Sequence, residues 1–397
     1  MRVLVAPDSF AGTLTAPQAA EAIARGWRRA APDDEVITCP LADGGPGFVA
    51  ALHATLGGEL SSVTVTGPLG EPVPATLLRH EGTAYVEAAQ AAGLGLVPED
   101  RRDPALTTSF GVGELLAAAI ESGAHRVVVG VGGTATNDGG AGLLAGLAGW
   151  ERPALRSGGG ALSALGPEAL ADLGDLRHAL EGVELLAAVD DDAPLLGLHG
   201  TSAVHARAKG ASAEQAQELE KALGRFAHLA EERLRAEGPV HARPLPVLVE
   251  HHGHQHAPRE VTRLAALPGA GAGGGLGFGL ALLGARLEPG ARLVARTVEL
   301  AERIAGADLV VTGEGRLDWR SLHDAVVSTV AETALATGRP TVVVVGQVEM
   351  GRREWMAAGV SAVYAVAETL EEVDAALADP EGTLEARAAR VGKNWSR

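Results

Sequence analysis

Carboxylates recur in this sequence just past short apolar runs, flanked by small residues. Val3–Ala6 is followed by Pro7, Asp8, Ser9, Phe10, Ala11 and Gly12, and the run around Val36–Cys39 by Leu41, Ala42, Asp43, Gly44 and Gly45. Leu309–Thr312 leads into Gly313, Glu314, Gly315, Arg316, Leu317 and Asp318, and Thr341–Val345 into Gly346 and Gln347. A carboxylate held at such a point can take a proton from a hydroxyl or orient a polar ligand. The plainer alternative is that the glycines make turns and the acids cap helices.

Two glycine-rich stretches add a second kind of chemistry. Gly132-Gly133-Thr134-Ala135-Thr136-Asn137-Asp138-Gly139-Gly140 follows an apolar run and precedes an Ala/Leu-rich helical segment. Backbone N–H groups in such a loop, with a helix N-terminus behind them, suit an anion. The stretch is neither a Walker A loop nor a Rossmann fingerprint, because it has no GK[ST] and no properly spaced GxGxxG. Pro268 to Gly277, with Gly269, Gly271, Gly273, Gly274 and Gly275, also leads into a helix, and a chain that flexible is costly to order for structure alone.

Asp190, Asp191 and Asp192 end the apolar run Leu185–Val189. Adjacent acids repel one another, and Mg²⁺, which takes one or two carboxylates plus phosphate oxygens, would relieve them; an acidic turn before Pro194 is the alternative. Lys209 precedes a helix opened by Ser212 and Gln215 and could meet a phosphate, although an isolated lysine is more often on the surface. His251, His252, His254 and His256 have the side chains of a transition-metal site but no apolar scaffold beside them, so a solvated loop is the better reading.

The elements that would position these residues read as α/β. The apolar runs suit parallel strands covered on both faces, and amphipathic segments lie between them. Thr15 and Gln18 form a capping-box signature ahead of a helix carrying Ala19, Ile23 and Trp27 on one face. Val63 to Pro74 reads instead as strands and turns, and the βα rhythm resumes from Leu293. These shifts predict a discontinuous doubly wound domain, residues 1–62 and 290–397, with a second α/β domain inserted over 63–289.

Composition excludes several classes. With 33 basic against 50 acidic side chains, the formal charge of −17 is wrong for nucleic acid and for an anionic membrane surface. The single Cys39 rules out a disulfide framework or cysteine metal cage and suits a reducing compartment. Pro7 and Asp8 come too early for a signal peptide, and glycines and a proline interrupt Leu267–Ala285, which reads as a loop entering a helix rather than a membrane span. A cytoplasmic protein is expected. Aromatics are only 3%, so the cores must be built from Ala, Val and Leu.

Together the motifs resemble the bacterial glycerate kinase family of the glycerate 2-kinase type. The matching pieces are APDSFAGTL near the N-terminus, LADGG at 41–45, GVGGTATNDGGAG at 130–142, PGAGAGGGLG at 268–277 and GADLVVTGEGRLD at 306–318, in the family's order across most of the chain. The resemblance implies a flavodoxin-like domain made of both chain ends, an inserted α/β domain and an active site in the cleft between them. It also implies ATP- and Mg²⁺-dependent phosphorylation of D-glycerate, generally at the 2-hydroxyl, with a small hydroxy acid and ATP as partners, and it leaves room for a homodimer.

On that reading Asp43, Asp8, Glu314 and Lys209 are the catalytic candidates, Asp43 favoured for the hydroxyl proton. Ser9, Asp318 and Arg316 would bind substrate. Gly132, Gly133, Thr134, Thr136, Asn137, Asp138, Gly139, Gly140, Gly271, Gly273 and Gly274 would bind the nucleotide phosphates, and Asp190 and Asp192 the metal. Departures from the family pattern fall at Ala11 and Ala325, where lysines are usual, at Pro46 and Phe48 in place of a glutamate and a threonine, and at Ala193 in place of an asparagine. They leave a second reading, a kinase-fold protein that binds a nucleotide or small acid without efficient catalysis; Arg207 and Arg320 are the basic residues that could stand in for the lysines.

Overall fold

The computed structural model describes residues 1–10, 12–236 and 263–396; Ala11 and the His251–His256 cluster lie outside the described residues. Its strands, in chain order, are β1 (Arg2–Val5), β2 (Glu35–Thr38), β3 (Glu59–Thr66), β4 (Pro72–His80), β5 (Thr83–Glu87), β6 (Arg126–Gly130), β7 (Glu184–Val189), β8 (Arg286–Pro289), β9 (Leu309–Leu317), β10 (Thr341–Val348) and β11 (Ala362–Ala365). Two compact units result, one of Met1–Glu59 with Pro289–Arg397, the other of Leu60–Glu288.

The first unit holds a five-stranded sheet of order β11-β10-β9-β1-β2 with every pairing parallel. Parallel strands need crossovers, and the intervening segments supply helices. The Ala16–Ala30 helix begins at Thr15, which forms the expected capping box with Gln18, and buries Ala19, Ile23 and Trp27. It runs close against the Pro380–Trp395 helix, because a Cβ at Gly26 would overlap the Glu385 carbonyl oxygen. The strand order reverses at β1, whose neighbours are β2 on one side and β9 on the other. Ligands of open α/β sheets bind outside the carboxyl ends of the strands at such a reversal.

The second unit is a six-stranded sheet of order β3-β4-β5-β6-β7-β8. β4 and β5 pair antiparallel, whereas β5, β6 and β7 run parallel. Its core is aliphatic, as the scarcity of aromatics requires, with Val127, Val129, Leu143 and Leu223 buried. Phe226 and Phe278 meet edge to face with centroids 5.7 Å apart. The Ala213–Ala236 helix opens with reciprocal bonds between Ser212 and Gln215. No helix among the described residues is long and apolar enough to cross a membrane.

Candidate active site

Three of the expected carboxylates converge at the strand-order reversal of the first sheet. Asp8 follows β1, Asp43 follows β2, and Glu314 lies near the end of β9; all three are half-buried. The Asp8 N–H donates to the Gly313 carbonyl at 2.8 Å, which ties the end of β1 to β9. The Ser9 N–H donates to Asp8 Oδ1 at 2.6 Å, and the Gly45 N–H to Asp43 Oδ1 at 3.0 Å. The helix that starts at Gly290 packs on the Asp43 main chain so closely that a Cβ at Gly290 would overlap the Asp43 carbonyl.

Like charges brought together out of water hold their protons more tightly. Burial raises the Asp8 carboxyl well above the usual range, and the charges of Asp43 and Glu314 push it further. Burial likewise raises Asp43, against the pull of the Gly45 N–H. Glu314 is pushed up to about 7 by burial, with Asp318 and Asp43 adding to the rise and the Ser321 hydroxyl opposing it. Its Oε1 is buried and has no hydrogen-bond partner among the described residues. Glu314 therefore exchanges its proton near neutrality.

The cations of this sheet edge are partly engaged. Arg316 Nη1 pairs with Glu349 Oε1 at 3.2 Å in the open. Arg320 Nε lies 3.8 Å from Asp318 Oδ2, its main-chain N–H donates to Asp318 Oδ1 at 2.8 Å, and its guanidinium sits 5.7 Å from the exposed Trp319 ring. Ala325 precedes the Val326–Ala336 helix as its N-cap.

In the second unit the two glycine-rich stretches interlock, which corrects part of the expectation for them. Asp138 is fully buried. Its carboxylate accepts from Ser109 N and Oγ at 2.8 and 2.9 Å, from Gly140 N at 3.0 Å and from Gly142 N at 3.3 Å. Burial raises this carboxyl while those donors pull it back. The N-terminus of the Ala141–Ala148 helix thus already holds an anion, its own Asp138. Gly139 N donates to the Gly274 carbonyl and Gly271 N to the Ala193 carbonyl, so these groups face protein rather than ligand.

Gly273, Gly274 and Gly275 all have left-handed backbones, with φ of 63°, 74° and 91°. A Cβ at Gly273 would overlap the Val131 carbonyl and one at Gly274 the Thr136 carbonyl. Close packing of one chain on another accounts for these glycines. What remains open is the first part of the earlier loop: the N–H groups of Gly132, Gly133 and Thr134 donate to no protein acceptor among the described residues, and Gly133 is exposed with φ of 73°.

Side chains hold that loop in shape. Thr136 Oγ1 donates to the Thr107 carbonyl at 2.9 Å, and Asn137 Nδ2 to Ser202 Oγ at 3.0 Å. Lys209, expected on the surface or against a phosphate, is buried. Its Nζ donates to the Thr136 carbonyl at 2.7 Å and to Thr134 Oγ1 at 3.3 Å. Burial lowers it to about 8, although the charges of Asp190, Asp191 and Asp138 favour the ammonium. Asp190 and Asp192 are exposed at the end of β7. Asp191 caps the turn through Ala193 N at 2.8 Å and pairs with His205 Nε2 at 3.1 Å. Among the described residues no group of three or more His, Cys, Asp or Glu side chains is arranged to hold a metal ion. Ser109, Ser321 and His205 escaped the sequence reading. Ser321, three residues past Asp318, carried the only local signal.

The glycerate kinase family model matches residues 3–396. The chain is 36% identical to the glycerate 2-kinase of Escherichia coli, covering 95% of this chain and 93% of that one. It is 37% identical to the glycerate kinase of Bacillus subtilis, over 92% and 90%. An uncharacterized protein of Mycobacterium tuberculosis shares 40% identity, over 98% and 91%. The crystal structure of a Salmonella typhimurium LT2 protein assigned as a glycerate kinase 2 superposes with a TM-score of 0.75 at 33% identity, covering 99% of this chain and 98% of that one.

Proposed function

The chain belongs to the glycerate kinase family, and from that premise we propose that it transfers the terminal phosphoryl group of ATP to a hydroxyl of D-glycerate. A relative named glycerate 2-kinase supports 2-phosphoglycerate as the product. The observation that carries the reading is the meeting of Asp8, Asp43 and Glu314 at the strand-order reversal, with one carboxyl poised at about 7. A proton acceptor works best with an affinity near the operating pH. Glu314 takes the glycerate hydroxyl proton as the oxygen attacks the terminal phosphorus and ADP leaves. Asp8 and Asp43, each anchored by a backbone N–H, orient the substrate hydroxyls with Ser9, and the choice of acceptor moves from Asp43 to Glu314. Arg316, Arg320 and the neighbouring Asp318 frame the glycerate carboxylate and hydroxyls.

Phosphoryl transfer leaves the protein mainly positioning and electrostatic work. The open N–H groups of Gly132, Gly133 and Thr134 receive phosphate oxygens, with Thr136, Asn137 and Lys209 keeping the loop in register. Asp190 and Asp192 offer two hard oxygen donors, the number Mg²⁺ commonly takes from protein when phosphates and water complete its shell, and they would hold it. Bound there, Mg²⁺ would offset charge on the phosphates.

One observation favours the second reading, a binder with little turnover. Lys209 is committed to the loop and Arg316 to Glu349, while position 325 is an alanine. A coupled ADP-release assay with and without D-glycerate decides between them. Glycerate-dependent ADP release, with phosphoglycerate identified by phosphorus NMR, establishes the kinase; tight nucleotide binding without it establishes the binder.

A further inference from the structure

We propose that a cavity at the carboxyl ends of β10 and β11 takes the nucleoside end of the phosphoryl donor, with the base against Val348 and Leu370 and the ribose hydroxyls on Glu349 and Glu368. The inference rests on the reading of the chain as an ATP-dependent kinase. It gives a place to the part of ATP that the phosphate loop and the acid cluster leave unassigned.

The strand ends build the cavity. β10 contributes Gln347, Val348 and Glu349 as it runs out, and the turn after β11 contributes Ala367, Glu368 and Thr369. Leu370 and Val373 complete it from the Leu370–Ala378 helix. The space measures about 360 Å³, and small-molecule sites run from about 300 to about 1,000 Å³. Thr369 Oγ1 accepts the Glu372 N–H at 3.3 Å, and Glu372 Oε2 accepts the Thr369 N–H at 3.1 Å, so Leu370 stands on a fixed first turn. Leu370 is 85% exposed and Val348 36% exposed. Two aliphatic side chains left to water in one cavity lining cost free energy that a ligand covering them would recover.

The polar part of the lining selects the ligand. Among the described residues it holds no lysine, arginine or histidine, so neither a phosphate nor the carboxylate of glycerate finds a counter-charge in it. It holds two carboxylates, each oriented by an arginine outside the lining. Arg316 Nη1 lies 3.2 Å from Glu349 Oε1, and Arg387 Nη2 lies 3.9 Å from Glu368 Oε1. An ionised carboxylate only accepts hydrogen bonds, so the occupant must bring donors as well as an apolar face. A nucleoside brings both, and acids at the strand ends of doubly wound sheets take ribose hydroxyls in this way.

The register fixes the distance to the chemistry. Gln347 pairs with Arg316 and Val345 with Glu314 across the β10–β9 ladder. Neighbouring strands lie about 4.8 Å apart, so the cavity begins one strand spacing from the row that carries the proton acceptor. A triphosphate chain is longer than that spacing, which leaves its terminal phosphorus within reach of the acid cluster.

The experiment uses the full chain with Leu370→Ser and Glu368→Gln, both at exposed positions, with folding checked by circular dichroism. Glu349 is left intact because it also holds Arg316. The steady-state readouts are KM for ATP, KM for D-glycerate, kcat, and inhibition by tripolyphosphate, which carries the phosphates without the nucleoside. Adenosine binding, followed by saturation-transfer NMR, needs no turnover. Each variant removes one contact of ordinary strength and should raise KM for ATP and weaken adenosine by about 3–10-fold, while the other readouts stay within about twofold. An unchanged KM for ATP in both variants overturns the proposal. So does an equal loss of tripolyphosphate inhibition, which would put the effect at the phosphates. Spermidine binding that adenosine cannot displace would assign the two acids to an organic cation and overturn it as well. Adenosine binding that both variants weaken, in a chain that phosphorylates no glycerate, leaves the cavity assignment standing and fails the kinase reading instead.

Discussion

Glu314 must lose a proton near neutrality before it can accept another, so activity should rise as pH climbs through about 7. Glu314→Gln should lower kcat by about 10²–10⁴-fold, with smaller changes in either KM, and should abolish that acid limb; rapid-quench or coupled assays across pH would read both. The same residue has a stability signature. Its carboxyl is raised in the folded chain, so the fold binds that proton more tightly than the unfolded chain does, and stability is lost as pH rises through the interval from about 4.5 to about 7. The glutamine variant should therefore unfold at higher denaturant than the parent at pH 8, by on the order of 1–3 kcal/mol, with little difference near pH 4. A parent and variant that unfold alike at both pH values would contradict the burial of an ionised Glu314. Lys209 behaves oppositely. Its depressed affinity means the folded chain gains stability as pH rises from about 8 toward the ordinary lysine range.

At the scale of elements, substitutions in the two interlocked glycine stretches separate the proposed ligand binding from packing. Gly274→Ala puts a Cβ into the Thr136 carbonyl at a left-handed residue and should cost more than about 2 kcal/mol in urea unfolding. Gly133→Ala carries a left-handed penalty of about 1–2 kcal/mol. It should instead weaken binding of an ATP analogue in calorimetry, because it crowds the open N–H groups. Asp138→Asn removes the anion that caps the Ala141–Ala148 helix and should destabilise by about 1–3 kcal/mol without a selective loss of nucleotide. If Asp138→Asn lowers nucleotide affinity alone and leaves unfolding unchanged, the carboxylate faces ligand after all.

These elements also mark how far the sequence could be read. The strand-end acids were legible because parallel strands read as apolar runs that stop at the sheet edge, and the structure brings Asp8, Asp43 and Glu314 together at that edge. The glycine loops were half legible. A glycine ahead of a helix looks the same in sequence whether its missing Cβ clears a phosphate or another stretch of chain, and at Gly271, Gly273 and Gly274 it clears chain. Lys209 could not be placed, because nothing in Ala-Lys-Gly-Ala says that its ammonium ends on the Thr136 carbonyl. Choosing Glu314 over Asp43 required burial and neighbouring charge, neither of which is local in sequence.

For the whole molecule, a chain of net charge −17 that takes two anions, as proposed, works against its own field. Added salt screens long-range repulsion, so kcat/KM for glycerate should rise modestly between about 0.01 and 0.1 M ionic strength before tight local pairs weaken. A steady fall across that range would mean that an unidentified basic surface steers the substrate. The commitment of Lys209 and Arg316 to protein partners leads to the companion test. Ala325→Lys, at the N-cap of the Val326–Ala336 helix, should raise turnover if missing phosphate-facing charge is what limits the parent. No gain in an already brisk enzyme would mean that Arg320 or another residue supplies it.

In the proposed reaction Glu314 accepts the proton of the glycerate hydroxyl. That step is tested most directly by the pH profile of glycerate-dependent ADP release in the parent and in Glu314→Gln, from about pH 5 to about pH 9, with product identified by phosphorus NMR. The predicted result is phosphoglycerate formation in the parent, with an acid limb near 7 that disappears, with most of the rate, in the variant. Undiminished turnover in Glu314→Gln, or a parent that forms no phosphoglycerate at any pH, would contradict it.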